Sequence, residues 1–191
     1  SALLAAIGNA AARRTEGDGD VSATEEEIHE IIDDLTEEGT LDEEHGDLIS
    51  SALRFNDITV ESILTPRVDV DAIDIDDSPE EILRRIQEQN HSRLPVYEDS
   101  IDHIIGILRI RRYLRAYLDQ GKNVSLRKLL DEPYYVTESA KINELLGRMS
   151  RDKQSMAIVS DHYGGTVGIV TTEDILETLQ KIQGVMRIRL I

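Results

Sequence analysis

Apolar positions recur with two different rhythms along this chain. Ile28, Ile31, Ile32 and Leu35 fall at i, i+3, i+4 and i+7, one stripe on a helix whose other faces are acidic. Thr24 and Glu27 predict a capping box at its start, and Gly39 predicts a left-handed cap at its end. A second helix is expected over about 42–55, burying Leu48, Ala52 and Phe55 or their neighbours. Beyond Asn56-Asp57 the pattern shortens. Val68, Val70 and Ala72 alternate and predict a strand. Ser78-Pro79-Glu80-Glu81 predicts a helix with a Ser cap and Pro in first position. Leu94–Tyr97 and Ile104–Leu108 predict two strands, and an amphipathic helix follows them.

The same order then returns. Ile82-Leu83 matches Leu145-Leu146 and Val96 matches Val159, both 63 residues apart, and Gly106 matches Gly168 at 62. In the second unit a strand at Tyr135, a cap at Ser139, strands Ala157–Ser160 and Thr166–Val170 and a closing helix are expected, with Gly164-Gly165 as a hairpin turn. A repeat of this length is too long for a solenoid and suits two small domains. Each unit reads β-α-β-β-α, an α+β arrangement with helices on one face of a sheet. Neither unit alone buries much surface, so the two are expected to share a core.

The chain has 191 residues, no Cys and a net charge of −17. Without Cys there are no disulfides, thiol nucleophiles or thiolate metal sites. No window approaches 18 uninterrupted apolar residues, so no bilayer-spanning segment is predicted, and the basic residues of SALLAAIGNAAARR follow its apolar run, the reverse of a secretory signal. The charge is concentrated. Residues 1–14 contribute +2, residues 15–50 contribute −15 with no Lys or Arg, and residues 51–191 contribute −4. No basic patch fit for nucleic acid is predicted. The boundaries read as a flexible segment at 1–23, an acidic helical linker at 24–56, two repeat domains at 57–120 and 121–183, and a tail at 184–191.

Two parts of the repeat, Ser92–Tyr97 (SRLPVY) and Gly168–Ile175 (GIVTTEDI), together resemble the CBS domain pair, or Bateman module, over about residues 57–180. Residues 24–67 further resemble the linker that joins a membrane domain to the CBS pair in the CorC / cyclin-M / haemolysin-like family, which is associated with magnesium transport. The resemblance implies a tandem CBS pair, a cytosolic fragment with a membrane domain upstream of Ser1, and a homodimer formed through the CBS modules. Leu64 stands where the family usually has Met, and the chain ends in LQKIQGVMRIRLI where the family commonly continues into a further small domain.

Asp174 is the most informative residue for chemistry. A carboxylate at a helix start after a strand accepts charge-assisted hydrogen bonds from a ribose diol, and Thr171 stands one turn before it. The competing reading is that Thr171 and Asp174 only cap the last helix. Their counterparts Arg109 and Arg112 cannot accept hydroxyls, so one nucleotide site per chain is expected. The resemblance completes the site with Thr65, His91, Ser92, Arg93 and Pro95. Pro95 with Ile169-Val170 would sandwich an adenine. Arg93 would hold phosphate, or else form a surface ion pair. His91 would flank the base, or else be a solvated loop residue. The ligand implied is an adenine nucleotide, ATP or AMP, with Mg²⁺ bridging the phosphates of ATP in so acidic a protein.

Other features carry less. The run Asp69–Asp77 lacks the Gly of an EF-hand loop and alternates like an edge strand. The acidic helix reads as a solvated face, with an electrostatic contact as the alternative. No Walker loop, nucleophile elbow or H-E-x-x-H is present, and the five His are scattered, so no catalytic function and no protein metal site are expected. A constitutive dimerisation scaffold is the alternative function.

Overall fold

The computed structural model describes residues 25–188, which divide into a helical body ending at Asp57 and a mixed body over Ile58–Thr178, with residues from Leu179 onward grouped with the former. The expectations for the capping Thr24 and the segment 1–23 lie outside the described residues.

In the helical body, α1 (Glu25–Glu37) and α2 (Glu43–Asp57) form an antiparallel pair. Ile31, Ile32, Leu35 and Leu41 are buried, so the stripe read from the sequence is the packed face. Gly39 has φ 69°, and the amides of Thr40 and Leu41 both donate to the Leu35 carbonyl at 3.0 and 2.9 Å, the expected left-handed cap. On α2 it is the neighbours that pack. Ile49 and Leu53 lie against the cluster, whereas Leu48 is 59% exposed and Ala52 is exposed. The helix is rotated by about one residue from the expected face, which places Ser50 and Ser51 inward.

The mixed body contains two four-stranded sheets. One has the order β2 (Ile73–Asp74), β3 (Arg93–Glu98), β4 (Ser100–Arg109), β5 (Leu130–Asp131); the other has β1 (Thr65–Pro66), β8 (Thr166–Thr171), β7 (Met156–Ser160), β6 (Tyr135–Thr137). The helices are α3 (Pro79–Glu88), α4 (Ile110–Gln120), α5 (Ile142–Arg151) and α6 (Thr172–Ile188), the last counted with this body only to Thr178. In each sheet the long strands form an antiparallel hairpin, flanked by one short parallel strand and one short antiparallel strand. The short antiparallel strands are exchanged. β1, near the start of the first repeat, completes the sheet of the second, and β5, near the start of the second repeat, completes the sheet of the first.

Burial explains why this holds together. In the first repeat Ile73, Ile82, Leu94, Val96, Leu108 and Tyr113 are within 2% of full burial, each worth ~1.5–3 kcal/mol against an exposed state. A second cluster joins the repeats: Ile104 and Ile107 of β4 meet Met156 and Ile158 of β7, with Ile169 and Tyr97 alongside. The shared core is real, and the fold is the expected α+β tandem pair.

Two local expectations are corrected. Val68, Val70 and Ala72 do not form a strand. Residues Arg67–Asp69 make a short 3-10 turn, Val68 is 88% exposed, and pairing begins only at Ile73. Ser139 does not cap α5; Lys141 is the N-cap, without a side-chain cap bond, while Ser139 Oγ lies 3.4 Å from Thr137 Oγ1. Ile142 is instead tied back by its amide to the Ile58 carbonyl at 3.0 Å. Ser78 does cap α3, with Glu81 completing the box and Pro79 in first position.

Candidate functional site

A cleft of about 330 Å³ opens where the C-terminal end of β8 and the start of β3 come together, within the ~300–1,000 Å³ range of small-molecule sites. Thr65, His91, Ser92, Arg93, Pro95, Ile169, Thr171 and Asp174 all line it. These residues lie up to 109 positions apart in sequence, between Thr65 and Asp174, and the exchanged strand is what unites them.

Close packing of backbone sets the floor. Thr65 pairs with Ile169, and a Cβ on Gly168 would stand 2.1 Å from the Thr65 carbonyl oxygen, so only glycine lets β1 lie there. Arg67, the next residue after β1, donates through Nη1 to Asp102 Oδ1 at 2.8 Å, and the same oxygen accepts the Thr166 amide at 3.0 Å. That bridge fastens the Thr65-Pro66-Arg67 segment to both sheets.

At the far wall Thr171 and Asp174 form a reciprocal cap on α6. Asp174 Oδ2 accepts the Thr171 amide at 2.8 Å and the Thr171 hydroxyl at 2.7 Å, and the Asp174 amide donates to Thr171 Oγ1 at 3.2 Å. The cap is thus formed as the competing reading expects, and it engages Oδ2 and the Thr171 proton; among the described residues no bond is made by Asp174 Oδ1. Thr171 is thereby a residue that orients Asp174, since its one proton is already donated.

Arg93 stands half-buried at the edge of β3. Its side chain makes one hydrogen bond among the described residues, from Nη1 to Ser92 Oγ at 3.4 Å, and takes part in no ion pair there. His91 is exposed and lies 3.2 Å through Nε2 from Asp71 Oδ2, while Gln89 Nε2 donates to Asp71 Oδ1 at 2.9 Å. Pro95 is buried and Ile169 half-buried, and both add apolar lining to the cleft.

Val170 is not part of this wall. It is fully buried on the opposite face of β8, because successive strand residues point to opposite sides. Of the Ile169-Val170 pair expected to flank an adenine, only Ile169 lines the cleft, and Met156 lines it as well. Met156 was missed, as were Asp69, Asp71, Ser155 and Glu173, all at the cleft. The repeat offered a signal for two of them, since Ser155-Met156 stands 63 residues after Ser92-Arg93. The Ser155 hydroxyl is buried with no hydrogen-bond partner among the described residues. Among the described residues no group of three or more His, Asp or Glu is arranged to hold a metal ion, and no helix is long and apolar enough to cross a membrane.

The CBS domain family model matches residues 60–119 and 126–181. The CBS domain of a bacterial CNNM/CorC family Mg²⁺ transporter, solved in complex with ATP, is 36% identical with a TM-score of 0.66, covering 72% of this chain and 97% of that one. The chain belongs to the CBS-domain family, as a CBS pair of the CNNM/CorC group. A CBS-domain pair from Klebsiella pneumoniae with bound AMP is 33% identical, with a TM-score of 0.59, covering 64% of this chain and 98% of that one. Among curated proteins, the UPF0053 protein YugS of Bacillus subtilis is 32% identical over 159 residues, 83% of this chain. That match spans 37% of the length of the relative.

Proposed function

We propose that the cleft binds an adenine nucleotide and that the chain acts as a regulatory module, not an enzyme, for an attached membrane transport domain carrying magnesium or a similar divalent cation. The reading is supported above all by one juxtaposition. An Asp174 carboxylate oxygen and an Arg93 guanidinium that, among the described residues, are engaged by no bond and no ion pair respectively share a cleft whose remaining walls include Pro95, Ile169 and Met156. A ribose needs the first, a phosphate the second and a base the third. The ATP and AMP held by the two similar CBS structures agree with that division of labour.

Thr65 and Ser92 supply hydroxyls to the phosphate end, and His91 stands at the rim. Asp69, Asp71 and Glu173 add negative charge around the same opening, so ATP would enter with Mg²⁺ across its phosphate oxygens. The module would sit on the cytoplasmic side of the membrane and act as a homodimer. Exposed Leu114 and Leu118 on α4 and Leu176 on α6 supply an apolar surface for a second copy, with Leu114 and Leu176 at matching places in the two repeats. Nucleotide binding would bias an angle between protomers that the dimer already samples, and the acidic helical linker would pass that bias to the transport domain.

A thermal melt in the presence of AMP, ADP or ATP with Mg²⁺ tests this. Ligand at 100 times its Kd adds ~2.7 kcal/mol, a rise of several degrees for a body of this size. A melting temperature unmoved by every adenine nucleotide at millimolar concentration would leave the constitutive scaffold instead.

A further inference from the structure

The internal two-fold places a second cleft frame in the molecule, with the same backbone and different chemistry. Hydrogen-bond register fixes the correspondence. Met156 pairs with Thr171 across β7 and β8 as Arg93 pairs with Arg109 across β3 and β4. Thr65 lies opposite Ile169 as Asp131 lies opposite Ile107. The Thr172 amide donates to the Ser155 carbonyl and the Ile110 amide to the Ser92 carbonyl, both at 3.1 Å. A Cβ on Gly168 would strike Leu64 and Thr65, and one on Gly106 would strike Leu130 and Asp131. Thr65, Thr171 and Asp174 therefore become Asp131, Arg109 and Arg112.

Those three counterparts grip one another. Arg109 Nε lies 2.5 Å from Asp131 Oδ2, and Arg112 Nη1 lies 3.2 Å from Asp131 Oδ1. Arg112 Nη1 also faces the Leu129 carbonyl at 3.4 Å. The signs are inverted relative to the first cleft: donors stand where the sugar acceptor was, and a carboxylate on the exchanged strand engages them. A ribose diol meets two guanidiniums in place of the Asp174 carboxylate, and a phosphate meets the same guanidiniums already engaged by an anion of the chain itself.

We propose that this second frame is a nucleotide cleft closed by its own side chains, with Asp131 as the internal ligand of Arg109 and Arg112, and that these three residues set the number of nucleotides bound per chain. The inference rests on the nucleotide reading of the first cleft. Its test exchanges the triad for its counterpart, Arg109→Thr, Arg112→Asp and Asp131→Thr together, and titrates AMP by calorimetry. The triple variant gains one AMP site over its parent, two per chain instead of one, and keeps that one when Asp174→Ala is added. No gain in a variant whose circular dichroism matches the parent overturns the inference. The comparison is with the parent, so a parent that binds no AMP refutes the reading of the first cleft separately. Should the triple variant not fold, Asp131→Asn serves: it releases both guanidiniums and is expected to bind inorganic phosphate about tenfold more tightly than the parent. An unchanged phosphate affinity overturns the inference.

Discussion

Asp174 reaches back to Thr171 with a single carboxylate oxygen, which accepts both the Thr171 amide at 2.8 Å and its hydroxyl at 2.7 Å. One side chain thus joins the end of a strand to the start of a helix through a single oxygen. The cap fixes the carboxylate before any ligand arrives, so less of the binding energy is lost in ordering it.

Thr171→Ala separates positioning from contact. The cap loses its hydroxyl, which costs about 1 kcal/mol of stability in chemical denaturation. The carboxylate is retained but released, and AMP affinity is expected to fall by about three- to tenfold, with Thr171→Ser restoring most of it. A direct phosphate role for the Thr171 hydroxyl would instead weaken ATP far more than adenosine.

Gly168→Ala and Gly106→Ala probe matching places in the two repeats. Each puts a methyl group against an exchanged strand, at 2.1 Å from the Thr65 carbonyl oxygen or 2.6 Å from Leu130 Cβ. Both should lose about 1–3 kcal/mol of stability. Only Gly168→Ala should also abolish nucleotide binding, because only it displaces the strand that floors the candidate cleft.

Tyr113 is fully buried with no partner for its hydroxyl among the described residues, and burial pushes its pKa up to about 12. Ionisation is therefore harder in the folded protein than in the unfolded chain. The tyrosine's contribution is complete below pH 10 and is lost as the pH rises toward 12. Tyr113→Phe should flatten this alkaline limb in denaturation titrations and, by removing an unsatisfied hydroxyl, raise stability at neutral pH by about 1 kcal/mol.

Charge around the cleft predicts a difference between ligands. Asp69, Asp71, Glu173 and Asp174 face Arg93 and His91 there. The affinity for ATP should rise markedly with Mg²⁺, while that for AMP, with a single phosphate, barely changes. Calorimetry in EDTA and in Mg²⁺ checks this, and equal ATP affinity in both would remove the electrostatic argument.

Most of the architecture could be read from spacing because the repeat duplicates its buried strands, and a strand buried on both faces, such as Met156–Ser160, announces itself as a continuous apolar run. The exchange of β1 and β5 could not. Each is two residues long, too short for any period, and its partner is chosen by where a glycine leaves room. Val68, Val70 and Ala72 alternate without becoming a strand because Arg67 is drawn to Asp102 and the backbone turns there. At the candidate site the resemblance supplied positions but not orientations. Val170 faces away from the cleft for want of a second inward position beside Ile169, and Met156 takes its place.

Parallel calorimetric titrations of AMP into the native sequence and into Asp174→Ala bear most directly on the cleft as a nucleoside site. The expected outcome is saturable binding of one AMP per chain and a loss of about 10- to 100-fold in the variant, the worth of one or two charge-assisted hydrogen bonds, with its fold intact by circular dichroism. Equal affinity in the two proteins, or no binding to the native one, would contradict it.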